Sequence, residues 1–325
     1  MESRVLGRTG RSVGVVGLGA WQLGADWGAI DDAQAFAVLD AAVAAGVTFI
    51  DTADAYGDGR SEQLIGRFRA RHPEVMVATK MGRRLEQVPS TYVMANFRSW
   101  VERSLTNLGV DQLELVQLHC PPTAVFRDDA VFDALDTLVA EGSIAAYGVS
   151  VETREEALLA IARPGVATVQ IILNLLRLGP LDAVLPQAAA RGIGIIARVP
   201  LASGLLSGRY DESTTFPADD HRTYHRHGEA FVVGETFSGV DFATGLAAVR
   251  QLAEVKPPGV TMAQFALRWI IDQPGVSVVI PGARNEAQVQ GNVAAADLPP
   301  LSQAQLDGVR RVYDTVVALE VGDRW

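Results

Sequence analysis

The feature that most constrains the fold of this sequence is a regular alternation of short apolar segments with longer segments of helical apolar spacing. Apolar runs of this length, bounded by turn residues, are typical of buried strands. Alternating strands and helices form a parallel sheet, and eight such units close into a (β/α)8 barrel. We therefore predict an α/β fold of the TIM-barrel class, with strands near residues 15–18, 47–50, 75–79, 113–118, 144–149, 167–171, 193–197 and 276–280.

Three further segments stand outside this repeat. Two short alternating runs flank a glycine-containing turn, which predicts an N-terminal β-hairpin over about residues 4–16. After the seventh strand the repeat lapses into a glycine-rich, polar insertion at about residues 202–245, and an extra C-terminal helix is predicted from residue 302 to about 319. Ser61 and Thr261 precede helical patterns and are predicted N-caps. No linker divides the chain, so we expect residues 1–325 to form a single domain.

Composition narrows the class of function. Hydrophobic residues make up 48% of the 325 residues and charged residues 20%, so the chain can bury a large core. The formal net charge of −10 disfavours nucleic acid and anionic membranes as partners. The single cysteine, Cys120, excludes an internal disulfide, and no window approaches the roughly 18 apolar residues of a membrane span. We expect a cytoplasmic protein that acts on a small molecule; whether it is a monomer or a homo-oligomer is left open.

Polar side chains lie at the ends of three consecutive predicted strands. Asp51, Lys80 and His119 each follow an apolar run, and Tyr56 lies on the loop after the first of these strands. In a closed barrel such side chains converge on one mouth. A phenol has a pKa of about 10, too high for an efficient proton donor near neutral pH, and a neighbouring ammonium group lowers it. The set predicts a general acid directed at a carbonyl, with the electrons supplied by a cofactor.

The motifs around these four residues carry a resemblance to a known family. They are DTADAYGDGRSE, VATK and LVQLHCPP, and they resemble the tetrad motifs of the aldo-keto reductases over essentially the whole chain. The resemblance implies an NADPH-dependent reduction of aldehydes and ketones, with NADH less favoured as cofactor. It implies that Tyr56 is the acid/base, that Asp51 and Lys80 tune its pKa, and that His119 orients the carbonyl.

The resemblance also implies a set of cofactor contacts. Ser150 and Gln170 match positions that hold the nicotinamide carboxamide, and Arg198 stands where many members stack an aromatic ring on the nicotinamide. Residues 199–210 match the loop that covers the pyrophosphate, and Arg284 is assigned to the 2′-phosphate, which a guanidinium can bind through two hydrogen bonds. The full set is Gly19, Ala20, Trp21, Asp51, Ser150, Gln170, Arg198, Val199, Pro200, Leu201, Ser203, Gly204, Leu206, Arg209, Gly282, Arg284, Gln288 and Asn292.

On the substrate side, we expect Trp21 and Trp27 to join Tyr56 and His119 and to favour apolar or aromatic carbonyls. An alternative is an NADP(H)-binding sensor or regulatory subunit of the same fold with little turnover, since potassium-channel β subunits resemble this family. A metal-dependent barrel hydrolase is disfavoured, because the strand ends offer one histidine and one aspartate. The histidines and the glutamate at residues 221–229 are interpreted as part of a solvated insertion, so no metal site is predicted.

Overall fold

The computed structural model describes residues 1–24, 30–218, 220–225, 229 and 233–322. The chain begins with an antiparallel hairpin and continues into one eight-stranded parallel sheet. The hairpin strands are β1 (Ser3–Val5) and β2 (Ser12–Gly14). The sheet strands are β3 (Leu18–Gly19), β4 (Phe49–Asp51), β5 (Met76–Met81), β6 (Leu115–His119), β7 (Tyr147–Ser150), β8 (Val166–Ile172), β9 (Gly194–Arg198) and β10 (Val276–Val279).

The sheet closes on itself between its first and last strands. Neighbours follow chain order from β3 to β10, and parallel bridges join Val16 to Val279 and Gly19 to Gly282. The amide of Gly17 donates to the carbonyl of Val279 at 2.9 Å across this seam. The predicted (β/α)8 barrel, with all eight strands near their predicted positions, is thereby confirmed.

The hairpin covers the floor of the barrel, at the amino ends of the strands. Leu6 and Val13 pack in one cluster with Phe49, which begins β4. The Arg4 guanidinium donates to the carbonyls of Ile271 and Val276 at 2.9 and 2.8 Å. Because the floor is filled, the carboxyl ends of the strands form the accessible mouth. The predicted N-terminal hairpin is confirmed.

Twelve α-helices are described outside the sheet. The first six follow the strands in turn: α1 (Asp32–Ala44), α2 (Arg60–Arg69), α3 (Met94–Leu108), α4 (Asp129–Ala140), α5 (Arg154–Ile161) and α6 (Pro180–Ala190). The others are α7 (His221–Tyr224), α8 (Phe242–Val255), α9 (Met262–Ile271), α10 (Glu286–Val293), α11 (Gln303–Val312) and α12 (Ala318–Val321). A π-helical turn, Tyr313–Val317, joins α11 to α12, so the predicted extra C-terminal helix is confirmed.

The N-termini of two helices differ in how well the sequence predicts their caps. Thr261 caps α9 as predicted, in a reciprocal pair with Gln264. The prediction that Ser61 caps α2 is wrong: the N-cap is Gly59, whose φ of 95° favours glycine. The Ser61 hydroxyl is buried and donates to the carbonyl of Ala20 at 3.0 Å. It therefore fastens the first barrel loop to α2 instead of capping the helix.

The insertion after β9 is built from short turns. It contains the 3-10 segments Ala202–Ser207, Val233–Glu235 and Phe237–Gly239, together with α7. Trp27, His227 and the C-terminal tryptophan lie outside the described residues. Among the residues described, no helix is both long enough and apolar enough to span a bilayer.

Candidate active site

The four residues of the predicted tetrad meet at the mouth of the barrel. Asp51 ends β4, Lys80 lies near the end of β5, His119 ends β6, and Tyr56 begins a 3-10 turn after β4. The Lys80 ammonium pairs with the Asp51 carboxylate and lies 3.4 Å from the Tyr56 phenol oxygen. The ring of Tyr56 meets that of His119 edge-on, with centroids 5.8 Å apart. The structure thus brings together the residues that the sequence placed on separate strands.

The Asp51–Lys80 pair is buried and well supplied with hydrogen bonds. The side chains are 4% and 2% exposed. Lys80 also donates to the carbonyl of Thr52 at 2.9 Å. The second carboxylate oxygen of Asp51 accepts from the amides of Gln170 and Gln117 at 2.7 and 3.1 Å. A buried ion pair needs such additional bonds to offset the loss of hydration.

Burial and the charge of Lys80 shift the pKa of Tyr56 in opposite directions. Burial raises the pKa of Tyr56 above its ordinary value, and the Lys80 ammonium opposes that rise. Burial likewise disfavours the charged form of Lys80, but the Asp51 carboxylate and the Tyr56 hydroxyl together hold the pKa of Lys80 above its ordinary value. At neutral pH the site therefore holds a protonated phenol beside a charged ammonium.

His119 is a neutral imidazole in this site. Burial, followed by the positive charges of Arg83, Lys80 and Arg198, holds the pKa of His119 well below its ordinary value. Its Nδ1 atom is buried and has no hydrogen-bond partner among the described residues. A neutral imidazole carries one N–H donor and one acceptor nitrogen, so His119 can hydrogen-bond a substrate oxygen without taking up a proton first.

A cavity of about 1100 Å³ opens above the tetrad. Most of the predicted contacts line it. They are Gly19, Ala20, Trp21, Asp51, Tyr56, His119, Ser150, Gln170, Arg198, Val199, Pro200, Leu201, Ser203, Gly204, Arg209, Gly282, Arg284, Gln288 and Asn292. Of the others, Lys80 lies behind Tyr56, Leu206 is buried away from the cavity wall, and Trp27 lies outside the described residues.

The cavity wall after β9 has an unusual backbone. Val199, Ala202 and Ser203 have φ values of 50°, 47° and 54°, in a region that non-glycine residues seldom adopt. The Asn174 amide donates to the carbonyl of Val199 at 2.9 Å and to the hydroxyl of Ser238 at 2.8 Å. Such conformations persist where the surroundings fix them, and they cluster at ligand sites.

The far end of the cavity is formed by the start of α10. Asn285 caps this helix through the amide of Gln288 at 2.9 Å, and the Gln288 side chain accepts from the amide of Arg284 at 2.8 Å. Asn292 donates to the carbonyl of Gly282 at 3.2 Å. The exposed Arg284 therefore lies beside the N-terminus of α10, and both the guanidinium and the helix N-terminus attract anions.

A cluster of charged side chains borders the cavity that Tyr56 and His119 also line, and the sequence analysis missed it. The Arg198 guanidinium contacts the carboxylates of Glu152 and Glu235 at 3.0 and 2.8 Å. Arg83 lies 3.7 and 3.6 Å from the same two carboxylates. Arg83 and Glu152 each follow closely on a predicted strand end, which was the available signal. If Arg198 stacks on a nicotinamide, as the resemblance implies, it must do so while its guanidinium is bound to the carboxylates of Glu152 and Glu235.

This cluster does not have the chemistry of a metal site. Ligand atoms of Cys120, Glu152 and Glu235 lie within 4.8 Å of one another. However, Arg198 contacts all three side chains, with its Nη2 atom 3.6 Å from the Cys120 sulfur. Burial raises the pKa of Cys120 to about 12, so beside Arg198 the sulfur is a neutral thiol. Arginine already supplies the positive charge that these groups require.

Comparisons with known proteins agree with this geometry. A profile of the aldo/keto reductase family matches residues 15–314. The aldo-keto reductase YhdN of Bacillus subtilis is 31% identical over 298 residues, which are 89% of this chain and 87% of that protein.

Two solved structures are also similar. The aldo-keto reductase AKR11C1 of Bacillus halodurans, in its holo form, has a TM-score of 0.78 at 25% identity, with 96% of each chain covered. An aldo-keto reductase of Klebsiella pneumoniae in complex with NADPH has a TM-score of 0.70 at 27% identity, again with 96% of each chain covered.

One similar protein is described as a channel subunit and not as a reductase. A probable voltage-gated potassium channel subunit beta of Oryza sativa is 28% identical over 320 residues, which are 93% of each protein. A similar sequence therefore occurs in a protein described as a probable channel subunit.

Proposed function

Because the chain belongs to the aldo/keto reductase family, we propose that it is an NADPH-dependent reductase that converts aldehydes or ketones to alcohols, with Tyr56 as the general acid. One observation carries the proposal. The phenol oxygen of Tyr56 lies 3.4 Å from the charged nitrogen of Lys80, at the wall of a cavity large enough for a cofactor and a substrate together. The K. pneumoniae structure in complex with NADPH supports the choice of cofactor.

The residues along the cavity fit a phosphorylated dinucleotide. Arg209 and Arg284 provide cations away from the tetrad, and Arg284 would bind the 2′-phosphate. At the other end, Ser150 and Gln170 would hold the nicotinamide carboxamide. The amide nitrogen of Gln170 already donates to Asp51, so its side chain would offer the carbonyl oxygen to the carboxamide.

The chemistry divides between the cofactor and the chain. NADPH, when bound, supplies a hydride to the carbonyl carbon. Tyr56 donates its proton to the carbonyl oxygen, and the adjacent Lys80 ammonium stabilises the phenolate that remains. Neutral His119 hydrogen-bonds the same oxygen and fixes its direction. Burial of these groups excludes water, which strengthens each electrostatic contact.

The test is a titration followed by an assay. Quenching of tryptophan fluorescence would give the Kd for NADPH and for NADH, and loss of nicotinamide absorbance would report turnover on aromatic and aliphatic aldehydes. We expect tighter binding of NADPH and turnover of at least one class of aldehyde. Absence of binding to either nucleotide would overturn the proposal.

A second candidate function is a cofactor-binding sensor or regulatory subunit. The similarity to a probable potassium channel subunit beta supports it. The same experiment separates the two functions, because a sensor would bind NADPH tightly and reduce none of the aldehydes at a useful rate.

A further inference from the structure

The backbone that follows Tyr56 has an unusual conformation. Gly57, Asp58 and Gly59 have φ values of 58°, 53° and 95°, so three consecutive residues are left-handed. Even residues that tolerate this conformation adopt it singly and not in runs. Such a turn persists only where its surroundings hold it in place. The loop that carries the proposed general acid therefore depends on contacts from other parts of the chain.

The first of these contacts is with the first barrel loop. A Cβ atom at Gly57 would lie 2.3 Å from the carbonyl oxygen of Gly24, and a Cβ atom at Gly24 would lie 2.7 Å from the carbonyl carbon of Tyr56. No side chain fits into so short a distance, so the two backbones are in direct contact. This contact stops the loop from moving toward Gly24, and a further contact is needed to stop it from moving away.

The second contact is with the guanidinium of Arg103, on α3. Its Nη1 atom donates to the carbonyl of Asp54 at 3.2 Å, and its Nη2 atom donates to the carbonyl of Asp58 at 2.6 Å. These two carbonyls belong to the residues two positions before and two positions after Tyr56. One side chain from a neighbouring helix therefore joins both ends of the segment that has Tyr56 at its centre. Because both bonds go to the backbone, they fix the path of the chain through Tyr56.

The Asp58 carboxylate in turn fixes the guanidinium of Arg103. It accepts from the Nη2 atom of Arg103 at 3.0 Å, and it also pairs with Arg84, shortly after the end of β5. The two arginines are each 29% exposed, although Asp58 itself is 77% exposed. Hydrogen bonds between a guanidinium and a carboxylate are stronger than neutral ones. Since β5 carries Lys80, this pairing also links the Tyr56 loop to the chain segment that follows Lys80.

From these contacts we propose that Arg103 is a positioning residue for proton donation: it holds the loop around Tyr56 so that the phenol stays beside the Lys80 ammonium, 3.4 Å away. The inference rests on the proposed function for the role of Tyr56 as the general acid. Arg103 is not among the described residues that line the cavity, so it acts through the backbone and not by contact with substrate or cofactor. Its loss should therefore lower turnover without weakening the binding of NADPH.

The test begins with Arg103→Gln, which removes the guanidinium. We expect kcat to fall about 10-fold or more, since a displacement of about 1 Å in a reacting group can cost up to about 100-fold. The Kd for NADPH should stay at the wild-type value. Arg103→Lys keeps the charge without the fork that reaches two carbonyls, and it should give a smaller loss of kcat. Wild-type kcat in Arg103→Gln would overturn the inference.

Another arginine on α3 provides a matched control. Arg98 pairs with Glu141 at 2.6 Å, so it joins α3 to the end of α4 and not to the Tyr56 loop. Arg98→Gln removes an ion pair of the same kind and should leave kcat unchanged. If Arg98→Gln lowered kcat as much as Arg103→Gln, a general weakening of α3 would explain both losses, and the inference would be wrong.

A double variant separates positioning of the phenol from general damage to the fold. In a Tyr56→Phe background the phenol is already absent, so adding Arg103→Gln should lower the residual turnover by less than about twofold. Two residues that act through one group have effects that do not add. A loss of the same size in both backgrounds would show that Arg103 does not act through the phenol, which contradicts the inference.

Hydrogen exchange separates failure of this inference from failure of the proposed function. The amides of Tyr56 and Asp58 each donate to the carbonyl three residues earlier, at 3.2 and 3.1 Å, so they exchange slowly while the loop keeps its turn. Arg103→Gln should speed their exchange about 10-fold or more, and Arg98→Gln should not. Faster exchange in this segment supports the positioning role even if no aldehyde is reduced. Unchanged exchange overturns it, even if aldehydes are reduced rapidly.

Discussion

The ammonium nitrogen of Lys80 lies 3.4 Å from the phenol oxygen of Tyr56 while it is paired with the carboxylate of Asp51. Lys80 neutralises a buried carboxylate, and in the proposed reaction it would also stabilise the charge that Tyr56 acquires on losing a proton. These roles can be separated by substitution, because the first governs stability and the second governs turnover.

Replacement of Tyr56 by phenylalanine removes the proton donor and leaves the ring in place. We expect kcat to fall about 100-fold or more, the usual contribution of a general acid. The Kd for NADPH should stay near the wild-type value, because the hydroxyl contributes little to cofactor binding. Tyr313→Phe, in the C-terminal helical segment, serves as the control. Wild-type turnover in Tyr56→Phe would remove Tyr56 from its proposed role.

Replacement of Lys80 by methionine leaves the Asp51 carboxylate buried without its cation. We expect the free energy of unfolding to fall by about 3–5 kcal/mol, as for other buried pairs that lose one partner. The double variant Asp51→Asn/Lys80→Met should recover part of this loss, because the remaining side chain is neutral. Urea denaturation measures both. A single variant as stable as the double one would show that the pair does not act as argued.

Replacement of Arg284 by glutamine tests the selectivity for the phosphorylated cofactor. The Kd for NADPH should rise about 10-fold or more, since a hydrogen bond to a charged group is lost. The Kd for NADH should change little, because NADH has no 2′-phosphate. Arg311→Gln, on α11, is the control for loss of a surface charge. An equal change for both nucleotides would place Arg284 away from the 2′-phosphate.

Asp54 makes stability depend on pH. It is buried, and neither carboxyl oxygen has a hydrogen-bond partner among the described residues. Burial and the Glu62 carboxylate raise its pKa to about 7, against the opposing charges of Arg84 and Arg103. The folded state therefore keeps a proton that the unfolded state releases above about pH 4, and stability falls as pH rises from about 4 to 7.

The measurement is the difference in free energy of unfolding between Asp54→Asn and the wild type. It should increase between pH 4 and pH 8 by up to about 4 kcal/mol, since the amide carries no charge at any pH. Asp58→Asn is the control, because Arg84 and Arg103 lower the pKa of the exposed Asp58. Its effect should have the opposite sign and fall below pH 4. A difference for Asp54→Asn that does not change with pH would show that Asp54 is ionised throughout.

The strands and the tetrad were predictable because their signals are local. Asp51 and His119 each end an apolar run, so their place in the chain fixes their place at the barrel mouth. Thr261 is a cap that depends only on Gln264, three residues later. Ser61 has the same local signal, but its hydroxyl contacts Ala20, which is distant in sequence. A local capping pattern carries no information about a contact with a residue so distant in sequence.

The buried charge cluster was not predictable for the same reason. Arg198 ends a predicted strand and was assigned to the cofactor, whereas Arg83, Glu152 and Glu235 come from three separate loops and nothing in their local sequence pairs them with it. Only the closed barrel brings them within ion-pair distance. Their effect on the neighbouring histidine and tyrosine follows from burial, which the sequence does not specify residue by residue.

The closure of the barrel has a consequence for how the protein folds. The seam joins Gly17 to Val279, and the floor hairpin is tied to β10 through Arg4 and Val276, which are 272 residues apart. Contacts between such distant residues require the closure of a long loop, which slows folding. The seam cannot form until the eighth strand of the sheet, β10, is in place. We therefore expect the barrel to close late and cooperatively during folding. The protein should gain affinity for the cofactor only when the last strand has joined the sheet.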